Sequence, residues 1–432
     1  MAKRNVNIVS LGCSKNLVDT ERLLAMLRNS GVDAEVTDRV SREAETVVIN
    51  TCGFIGDAKE ESINTILEAA EAKAAGIVDR IMVMGCLSER YASELPSELP
   101  EVDVWKGKFD WSGIVAEISG KHPGAASFDR IITTPRHHAY LKVAEGCNRF
   151  CAFCAIPLIT GRYRSRTPEE LEAEVRALVA RGVREFNVIA QDLTSYGRDL
   201  PKKVLLPELI DRLSDIEGVE WLRLHYAYPA DFPIEVMDVM AAKPNVCNYL
   251  DIALQHISDK VLKNMLRHID GQRTRDLIAE MRRRVPDLHL RTTMMTGFPG
   301  EGDKEFQELL DFVKETKFER MGAFDYCEED DTYAAKNLCD ATPQDVKQAR
   351  LDMLMAAQEE ISLEVQEAKI GRTLKVMVDR EEREFYVGRT EWDSPEVDPE
   401  VLIRKSRKLP TGEFTSVRIE EAMPFELIGL PV

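Results

Sequence analysis

The stretch AEGCNRFCAFCAIP, residues 144–157, carries three cysteines in the spacing C-x-x-x-C-x-x-C. Cys147, Cys151 and Cys154, named here the loop trio, directly follow AYLKVA (139–144), an apolar run typical of a buried strand. Three thiolates in one short loop can hold three corners of a four-iron–four-sulfur cluster and leave one iron without a protein ligand. An open metal position is what catalysis at a metal requires. The loop therefore predicts a catalytic iron–sulfur site at a strand end.

A structural zinc site is the alternative for this loop. Zinc prefers four Cys or His ligands in a compact arrangement. The nearest histidines, His137 and His138, lie about 10 residues upstream, on the other side of the predicted strand. This placement makes zinc the weaker interpretation.

The loop opens a region in which predicted strands and helices alternate. The predicted strands are AYLKVA, EFNVIA, EWLRLHYAY, YLDIAL, LHLRTTMM and RMGAFDY. The predicted helices between them are 168–181, 206–216, 233–243, 273–284 and 304–316. Six strand–helix units predict a (β/α)6 partial barrel of parallel strands, with its active face at their carboxyl ends.

The flanking regions predict two further domains. VNIVSL (6–11), ETVVIN (45–50) and IMVMG (81–85) alternate with predicted helices at 17–29 and 58–75, which is typical of a doubly wound parallel sheet. GKHPGAAS (120–127) predicts a linker. After a long helix at 343–369, the segments TLKVMVD, EFYVGRT, VLIRKS and FTSVRI predict a small all-β barrel. The predicted domains are 1–125, 136–368 and 369–432.

Three further cysteines follow the three N-terminal strands. Cys13, Cys52 and Cys86, named here the sheet trio, are 39 and 34 residues apart, each interval close to one strand–helix–strand unit. Each adjoins a glycine that allows close approach of the backbone to a bulky cofactor: Gly12, Gly53 and Gly85. Loops at the carboxyl ends of parallel strands line one crevice, so the three thiols can converge there. Spacing alone leaves open the alternative of three buried cysteines acting as small apolar residues.

Composition limits the remaining function classes. The 432 residues include 57 basic and 75 acidic ones, and a net charge of −18 disfavours generic nucleic-acid binding and suits a basic partner. Nine cysteines are too few for a disulfide scaffold in a chain of this length. No run approaches the roughly 18–20 apolar residues of a membrane helix, so we expect a cytoplasmic protein with reduced thiols. Cys247, Cys327 and Cys339 have no ligand-like spacing.

Taken together, the motifs resemble the radical S-adenosylmethionine methylthiotransferase family over nearly the whole chain. The matching cysteine segments are GCNRFCAFCAIPLITGRYRSR (146–166), LGCSKNLVDTE (11–21), NTCGFI (50–55) and GCL (85–87). GRTEWDSPEVDPEVLI (388–403) and GEFTSVRIEEAMPFELIG (412–429) resemble a TRAM domain, the small barrel that recognises the substrate. The resemblance favours a ligand role for the sheet trio.

This resemblance implies two [4Fe–4S] clusters, one on each trio, and S-adenosylmethionine as cosubstrate. The loop-trio cluster would bind S-adenosylmethionine at its open iron, and one electron would yield a 5′-deoxyadenosyl radical. The radical would take hydrogen from the β-carbon of a target aspartate. The sheet-trio cluster would carry or receive the sulfur, and a second S-adenosylmethionine would supply the methyl group.

Two motif forms favour one branch of the family. S-K-N-x-V-D in the first motif and C-G-F-I in the second resemble the branch that modifies an aspartate of small-subunit ribosomal protein twelve, whereas the branch that modifies adenosine in transfer RNA usually carries Q-M-N. Residues 381–400 hold eight acidic residues and two arginines, which suits a basic ribosomal protein. RKSRK (404–408) is a local basic run, best explained as a solvated strand end.

The expected partners follow from that branch. They are a basic ribosomal protein, free or within the ribosomal subunit, and a reducing electron donor, with no membrane and no stable nucleic-acid binding. A transfer-RNA methylthiotransferase and a non-catalytic iron–sulfur electron-transfer or sensor protein are the alternatives.

Seven residues on or near the loop trio and the strand ends are candidates for contacts with S-adenosylmethionine. They are Phe153, Gln191, Asp192, Arg223, Gln255, Gly297 and Gly300. An apolar ring beside the last cluster cysteine can pack against adenine, glycines let the backbone approach the cofactor, and polar groups at strand ends face a bound ligand. A role in the protein core is the alternative for each.

Overall fold

The computed structural model of the chain describes residues 5–41, 44–121 and 129–432. The first elements in chain order are β1 (Asn5–Ser10), α1 (Ser14–Asn29), β2 (Asp33–Thr37), β3 (Thr46–Thr51), α2 (Gly56–Ala74), β4 (Arg80–Gly85), α3 (Cys86–Arg90), α4 (Leu95–Glu98), β5 (Val104–Trp105) and α5 (Trp111–Ser119).

The second half of the chain begins with the strand that precedes the loop trio. Its elements are β6 (His138–Lys142), β7 (Ala144–Glu145), α6 (Ile156–Thr160), β8 (Arg164–Ser165), α7 (Pro168–Val179), β9 (Glu185–Ile189), a 3₁₀ turn (Leu193–Ser195), α8 (Leu206–Ser214), β10 (Trp221–Ala227), α9 (Glu235–Ala242), β11 (Val246–Ile252), α10 (Asp259–Asn264), α11 (Gly271–Arg284), β12 (His289–Thr296), α12 (Asp303–Thr316), β13 (Arg320–Asp325), α13 (Tyr333–Asn337), α14 (Gln344–Glu367), β14 (Thr373–Glu381), β15 (Phe385–Arg389), β16 (Glu400–Arg404), β17 (Phe414–Met423) and β18 (Glu426–Pro431).

The chain forms two compact units. The first unit contains the described residues of Met1–Thr134 together with Glu145–Asn148 and Cys154–Tyr163. The second unit contains Pro135–Ala144, Arg149–Phe153 and Arg164–Val432. The loop trio is thus divided, because Cys147 and Cys154 belong to the first unit and Cys151 to the second.

A five-stranded parallel sheet with the order β2-β1-β3-β4-β5 forms the first unit. Its central strands are continuous apolar runs because both faces are covered, as in all-parallel sheets generally. Val48 and Met82 pack with α1 and α5 on one face, whereas Val47 and Val83 pack with α2 on the other. The predicted doubly wound sheet is confirmed.

The second unit contains a six-stranded parallel sheet in which the strands follow chain order: β6-β9-β10-β11-β12-β13. Helices connect the strands, and local sequence signals mark their ends. α7, for example, begins at a capping box in which Thr167 and Glu170 bond each other's backbone, with Pro168 at the first helical position. The sheet has the strand order of the predicted (β/α)6 partial barrel, and that fold is confirmed.

A closed five-stranded barrel, β14-β15-β16-β18-β17, completes the second unit. Val376, Val401, Val417 and Leu427 from four of its strands fill the interior together with Trp392. The predicted all-β barrel is confirmed, and so is the long helix before it, observed as α14. No helix in residues 5–41, 44–121 and 129–432 combines the length and apolar character needed to cross a bilayer.

Five strands were not predicted as separate strands from the sequence, and two of them, β7 and β8, have only two residues each and pair with each other. Of the other three, β2 is a short strand at the sheet edge with two exposed positions, β5 has only two residues, and β18 contains Gly429 and Pro431. Propensity is weak in such segments, and their strand conformation comes from pairing with a neighbour. The predicted linker at 120–127 lies largely outside the described residues, as does the predicted boundary at 125.

Candidate functional site

The sheet trio lies at the carboxyl edge of the first unit's sheet. β1, β3 and β4 are adjacent parallel strands, and one cysteine follows each of them. Burial raises the pKa of Cys52 and also that of Cys86, the latter to about 12, and the nearby thiol of Cys13 raises both further. Such mutual electrostatic effects require close thiols, because they fall off with distance. The fold therefore brings the three residues together as predicted from their spacing.

Glycines allow the cysteine loops to approach each other this closely. Gly12 has a φ of +84°, and a Cβ at this position would lie 2.6 Å from the Cβ of Cys52. At Gly53 a Cβ would lie 2.8 Å from the backbone of Leu87. The sequence predicted that these glycines would face a cofactor. In the structure, the atoms closest to both positions belong to neighbouring cysteine loops.

Asn16, within the S-K-N segment of the first motif, holds the loops in register. Its side-chain nitrogen donates to the carbonyls of Leu11 and Thr51, at 3.1 and 3.0 Å. The side chain of Asn50 donates in turn to the Asn16 carbonyl at 3.0 Å. The oxygen of the Asn16 side chain lies 3.6 Å from the Sγ of Cys86 and accepts from its thiol. These buried amides explain the polar residues beside the cysteines, a role that sequence reasoning missed.

The first part of the loop trio is anchored within the first unit. The backbone N–H of Cys147 donates to the Gly161 carbonyl at 3.2 Å, and Asn148 accepts from the N–H of Tyr163 at 3.2 Å. Gly146 has a φ of +83°, and a Cβ there would lie 2.2 Å from the carbonyl oxygen of Arg162. The downstream G-R-Y segment is therefore part of the cysteine site, which accounts for the length of the motif.

Side chains of the second unit surround Cys151. The guanidinium of Arg267 donates to its Sγ at 3.4 Å, and the hydroxyl of Tyr228 lies 3.9 Å from the same atom. Tyr228 donates to the Arg267 carbonyl at 2.7 Å, and Arg149 lies over its ring at 4.3 Å. A cation that donates to a cysteine sulfur stabilises the thiolate that a metal requires. Neither Arg267 nor Tyr228 has a sequence signal linking it to the cysteines.

Both trios offer thiol sulfur, the donor that iron–sulfur clusters require. All six cysteines are free thiols. The three cysteines of the sheet trio follow adjacent parallel strands at one edge of the sheet. A bound metal would deprotonate these buried thiols outright. The residues thus fit three-thiolate iron–sulfur ligation.

Comparison with known proteins shows the family of the chain. Residues 5–107 match the uncharacterized protein family UPF0004, residues 141–313 match the Radical SAM superfamily and residues 370–432 match the TRAM domain. Relatives named ribosomal protein uS12 methylthiotransferase RimO match the whole chain. The relative from Parabacteroides distasonis is 54% identical over 99% of each chain, and that from Porphyromonas gingivalis 55% over 99% of each. The chain belongs to the uS12 methylthiotransferase family.

More distant relatives agree with this family membership. The family member from Christiangramia forsetii is 47% identical and covers 100% of this chain and 95% of its own. Among solved structures, the radical S-adenosylmethionine methyltransferase TsrM from Kitasatospora setae, with cobalamin and a [4Fe–4S] cluster bound, has a TM-score of 0.55 at 14% identity over 75% of each chain. OxsB, with aqua-cobalamin and S-adenosylmethionine bound, has a TM-score of 0.53 at 14% identity over 83% of this chain and 56% of its own. At these identities the likeness shows the fold alone.

In this member of the family, Asp192 anchors the cysteine loop. It is buried after β9 and accepts from the Nε of Arg149 at 2.7 Å. It also accepts from the N–H of Thr194 at 3.0 Å and the hydroxyl of Ser195 at 2.5 Å. Gln191 lies beside it at the same strand end, half-buried. These contacts favour a positioning role for Asp192, and contact of either residue with S-adenosylmethionine stays a prediction.

The apolar and glycine candidates lie beside protein atoms. The rings of Phe153 and Phe298 meet edge to face at 6.1 Å within an apolar cluster of the second unit. A Cβ at Gly297 would lie 2.4 Å from the side chain of Lys347, and one at Gly300 would lie 2.4 Å from that of Asn264. Their backbones therefore make room for the protein's own side chains. Their cofactor roles stay predictions.

Two polar candidates have contrasting positions. Gln255 has a φ of 71° and bridges to Met294 beyond the end of β11, at the face expected to be active. Arg223 is fully buried, pairs with Glu185 at 3.3 Å and donates to the carbonyl of Glu391 near the C-terminal barrel. These contacts favour the core alternative for Arg223.

The histidines of the zinc alternative belong to an ion-pair network. His137, His138 and Asp379 have ligand atoms within 4.8 Å of one another. His137 lies 2.7 Å from Asp379, and the guanidinium of Arg389 donates to both oxygens of that carboxylate, at 2.7 and 2.9 Å. A fixed positive charge on the same carboxylate disfavours a cation there.

Most acidic side chains of the stretch 381–400 have partners within the protein, so fewer of them are available to a binding partner than the composition indicates. Three of its acids accept bonds from other parts of the second unit: Glu391, Asp393 and Asp398. Three more pair with Arg380 or Lys405 on the barrel: Glu381, Glu382 and Glu400. The expected acidic face is therefore largely neutralised by internal partners. In the basic run, Arg404 ends β16 and pairs with Glu421 at 2.5 Å, as expected of a strand end.

Proposed function

We propose that this chain is a radical S-adenosylmethionine methylthiotransferase that attaches a methylthio group to the β-carbon of an aspartate in ribosomal protein uS12. The observation that carries the proposal is the convergence of Cys13, Cys52 and Cys86 at one sheet edge in a chain that also carries the C-x-x-x-C-x-x-C loop. A single-cluster radical enzyme needs only the loop. A second trio supports sulfur insertion as the additional chemistry.

Each trio would hold one [4Fe–4S] cluster. When bound, the loop-trio cluster and S-adenosylmethionine supply a 5′-deoxyadenosyl radical, and the sheet-trio cluster supplies the site of sulfur transfer. The protein's own contribution is position and shielding. Arg267 donates to Cys151, and the Asp192–Arg149 pair holds the loop between the cysteines. Fixed ligands keep reacting atoms in place, which is a large part of enzymatic rate enhancement.

Segments that carry cysteines of the two trios pack together within the first unit. Cys86 of the sheet trio packs with Ala155 and Ile159, which lie one and five residues after Cys154 of the loop trio. Cys52 and Cys86 are also buried. An apolar contact between the two cysteine segments excludes water there, which suits the reactive groups that the two clusters would supply.

We further propose that the chain has three domains and a cytoplasmic location. Residues 1–125 would carry the sheet trio, 136–368 the radical chemistry and 369–432 substrate recognition. The substrate protein, as such or within the ribosomal subunit, would be held by contacts other than a free acidic face on the barrel, because the stretch 381–400 is largely paired internally. An external one-electron donor is required, and we expect no stable nucleic-acid complex.

Mass spectrometry of a strain lacking the gene tests the substrate. We expect the methylthio mark on the uS12 aspartate to disappear and to return with the parent chain but not with Cys52→Ala. Persistence of the protein mark together with loss of a methylthio nucleoside from transfer RNA would contradict the proposal. Anaerobic protein given reductant and S-adenosylmethionine should release 5′-deoxyadenosine, whereas an electron carrier or sensor would release none.

A further inference from the structure

Lys108 is a buried lysine that contacts both cysteine segments of the first unit. Its side chain is 3% exposed, and its Nζ lies 3.4 Å from the Sγ of Cys86 and 3.7 Å from a carboxylate oxygen of Glu145. The backbone N–H of Lys108 donates to Glu89 at 2.9 Å, which fixes the loop after β5. A long, flexible side chain is rarely buried this completely without a partner that needs its charge.

The ammonium of Lys108 has a partner in each cysteine segment. Its Nζ donates to the Sγ of Cys86 in the sheet trio and pairs with the carboxylate of Glu145, just before the loop trio. The pair with a carboxylate is a contact that a positively charged lysine makes.

The contact with Cys86 has a consequence for a bound cluster. Hydrogen bonds to the ligand sulfurs and the net charge around an iron–sulfur cluster set its reduction potential. A donor with a full positive charge stabilises the reduced, more negative state. Glu145 lies two residues before Cys147, so its pair with Lys108 also fixes the segment that enters the loop trio.

We propose that Lys108 is a positioning residue for methylthiolation: its ammonium donates to the Sγ of Cys86 and raises the reduction potential of the cluster on the sheet trio. Neither the family match nor the cysteine spacing points to this residue. The inference rests on the proposed function only in that Cys13, Cys52 and Cys86 hold an iron–sulfur cluster.

The test isolates the sheet-trio cluster in the full-length chain. Cys147→Ala, Cys151→Ala and Cys154→Ala are combined, so that the remaining iron signal comes from the sheet trio. In this background Lys108→Met is compared with Lys108→Arg by an anaerobic redox titration monitored by electron paramagnetic resonance. We expect Lys108→Met to lower the equilibrium constant for reduction of the cluster about tenfold. For a one-electron couple this is a reduction potential about 59 mV lower than that of the parent. Lys108→Arg keeps the charge and should remain within about threefold of the parent.

Each outcome decides the inference. An unchanged potential in Lys108→Met with full iron content overturns it. Loss of iron in Lys108→Met, whether or not Lys108→Arg keeps its iron, shows a role in holding the cluster rather than in setting its potential and overturns the inference. If the background protein binds no iron at all, the proposed function falls together with the inference.

Discussion

The loop trio and the sheet trio each supply three cysteine thiols, but the chain brings those thiols together in different ways. Cys147, Cys151 and Cys154 lie within one short stretch, so the covalent chain limits their separation before folding. The sheet trio is spread over 74 residues, from Cys13 to Cys86, and meets only because β1, β3 and β4 are adjacent parallel strands. The first arrangement depends on local anchors. The second depends on the whole sheet.

This difference predicts different sensitivities. The loop trio is adjusted by single contacts such as Asp192 with Arg149, which set the orientation of the loop. The sheet trio is sensitive to any change that separates neighbouring strand ends. At Gly12 and Gly53 the neighbouring loop leaves no room even for an added Cβ. Substitutions at matched positions can therefore separate the two sites.

The largest expected effect distinguishes the chemistry of the two trios. Cys147→Ala should lower release of 5′-deoxyadenosine about 1000-fold or more, because the metal that activates S-adenosylmethionine loses a ligand. Cys52→Ala should leave that release within about threefold of the parent while methylthiolated product disappears. Both products are measured in one anaerobic reaction. Full methylthiolation by Cys52→Ala would remove the sheet trio from the mechanism.

Crowding at the sheet trio is tested by Gly12→Ala. The added Cβ would lie 2.6 Å from Cys52, so we expect loss of about half of the bound iron and about 1–3 kcal/mol of stability. Gly31→Ala is the matched control, since Gly31 has nearly the same φ, +82°, and no atom within 4 Å of the added Cβ. Backbone strain is common to both variants. Equal iron content in the two would show that the cysteine loops tolerate separation.

The loop anchor is tested by Asp192→Asn, which keeps the shape and removes the charge paired with Arg149. We expect the rate of S-adenosylmethionine cleavage to fall about 10- to 100-fold, the usual cost of losing a partner that orients a ligand. Asp231→Asn is the control, because Asp231 is 67% exposed and lies 3.6 Å from the same guanidinium. If both variants retain the parental rate, the loop does not need this anchor.

The smallest effect concerns the ion-pair network of the second unit, which neither trio uses. Burial, followed by the charge of Arg389, lowers the pKa of His138 from 6.5 to about 4. In the unfolded chain His138 takes up a proton below 6.5, whereas in the folded state it does so only near 4, so stability falls as the pH drops through this window. Between pH 7 and pH 5 this histidine should account for about 2 kcal/mol of the lost stability.

His138→Gln measures that contribution. Denaturant unfolding of the metal-free chain at pH 7 and pH 5 should show a smaller loss of stability in the variant than in the parent. His268→Gln is the comparison, because His268 is exposed to solvent whereas His138 is buried. Identical losses in parent and His138→Gln would contradict the prediction.

Much of the fold and the enzyme class could be predicted from the sequence. The doubly wound sheet, the (β/α)6 sheet and the closed barrel are confirmed, as are the family and its [4Fe–4S] and S-adenosylmethionine cofactors. The contacts that hold the cysteines were not predictable. Arg267 lies 116 residues from Cys151, and Lys108 lies 22 residues from Cys86 with no motif linking them. No residue spacing or apolar period in the sequence indicates either contact.

Composition did not predict which charged residues of the C-terminal barrel are paired within the protein. Eight acids between residues 381 and 400 predicted a face for a basic partner, but Asp393 is buried against Arg320 and Asp398 accepts from Tyr249. Arg223, a cofactor candidate from its place on a strand, pairs with Glu185 in the core. Net charge records how many charges a chain has, and only the fold decides which of them meet each other.

The sequence by itself determined the loop trio, the order of strands and helices, and the family, because these depend on residue spacing and apolar period along the chain. Tertiary structure decided that three cysteines 39 and 34 residues apart share one sheet edge, and that Asn16 and Lys108 lie beside them. The physical reason is strand adjacency. Which strands pair is settled by burial of both sheet faces, and that places distant side chains within bonding distance.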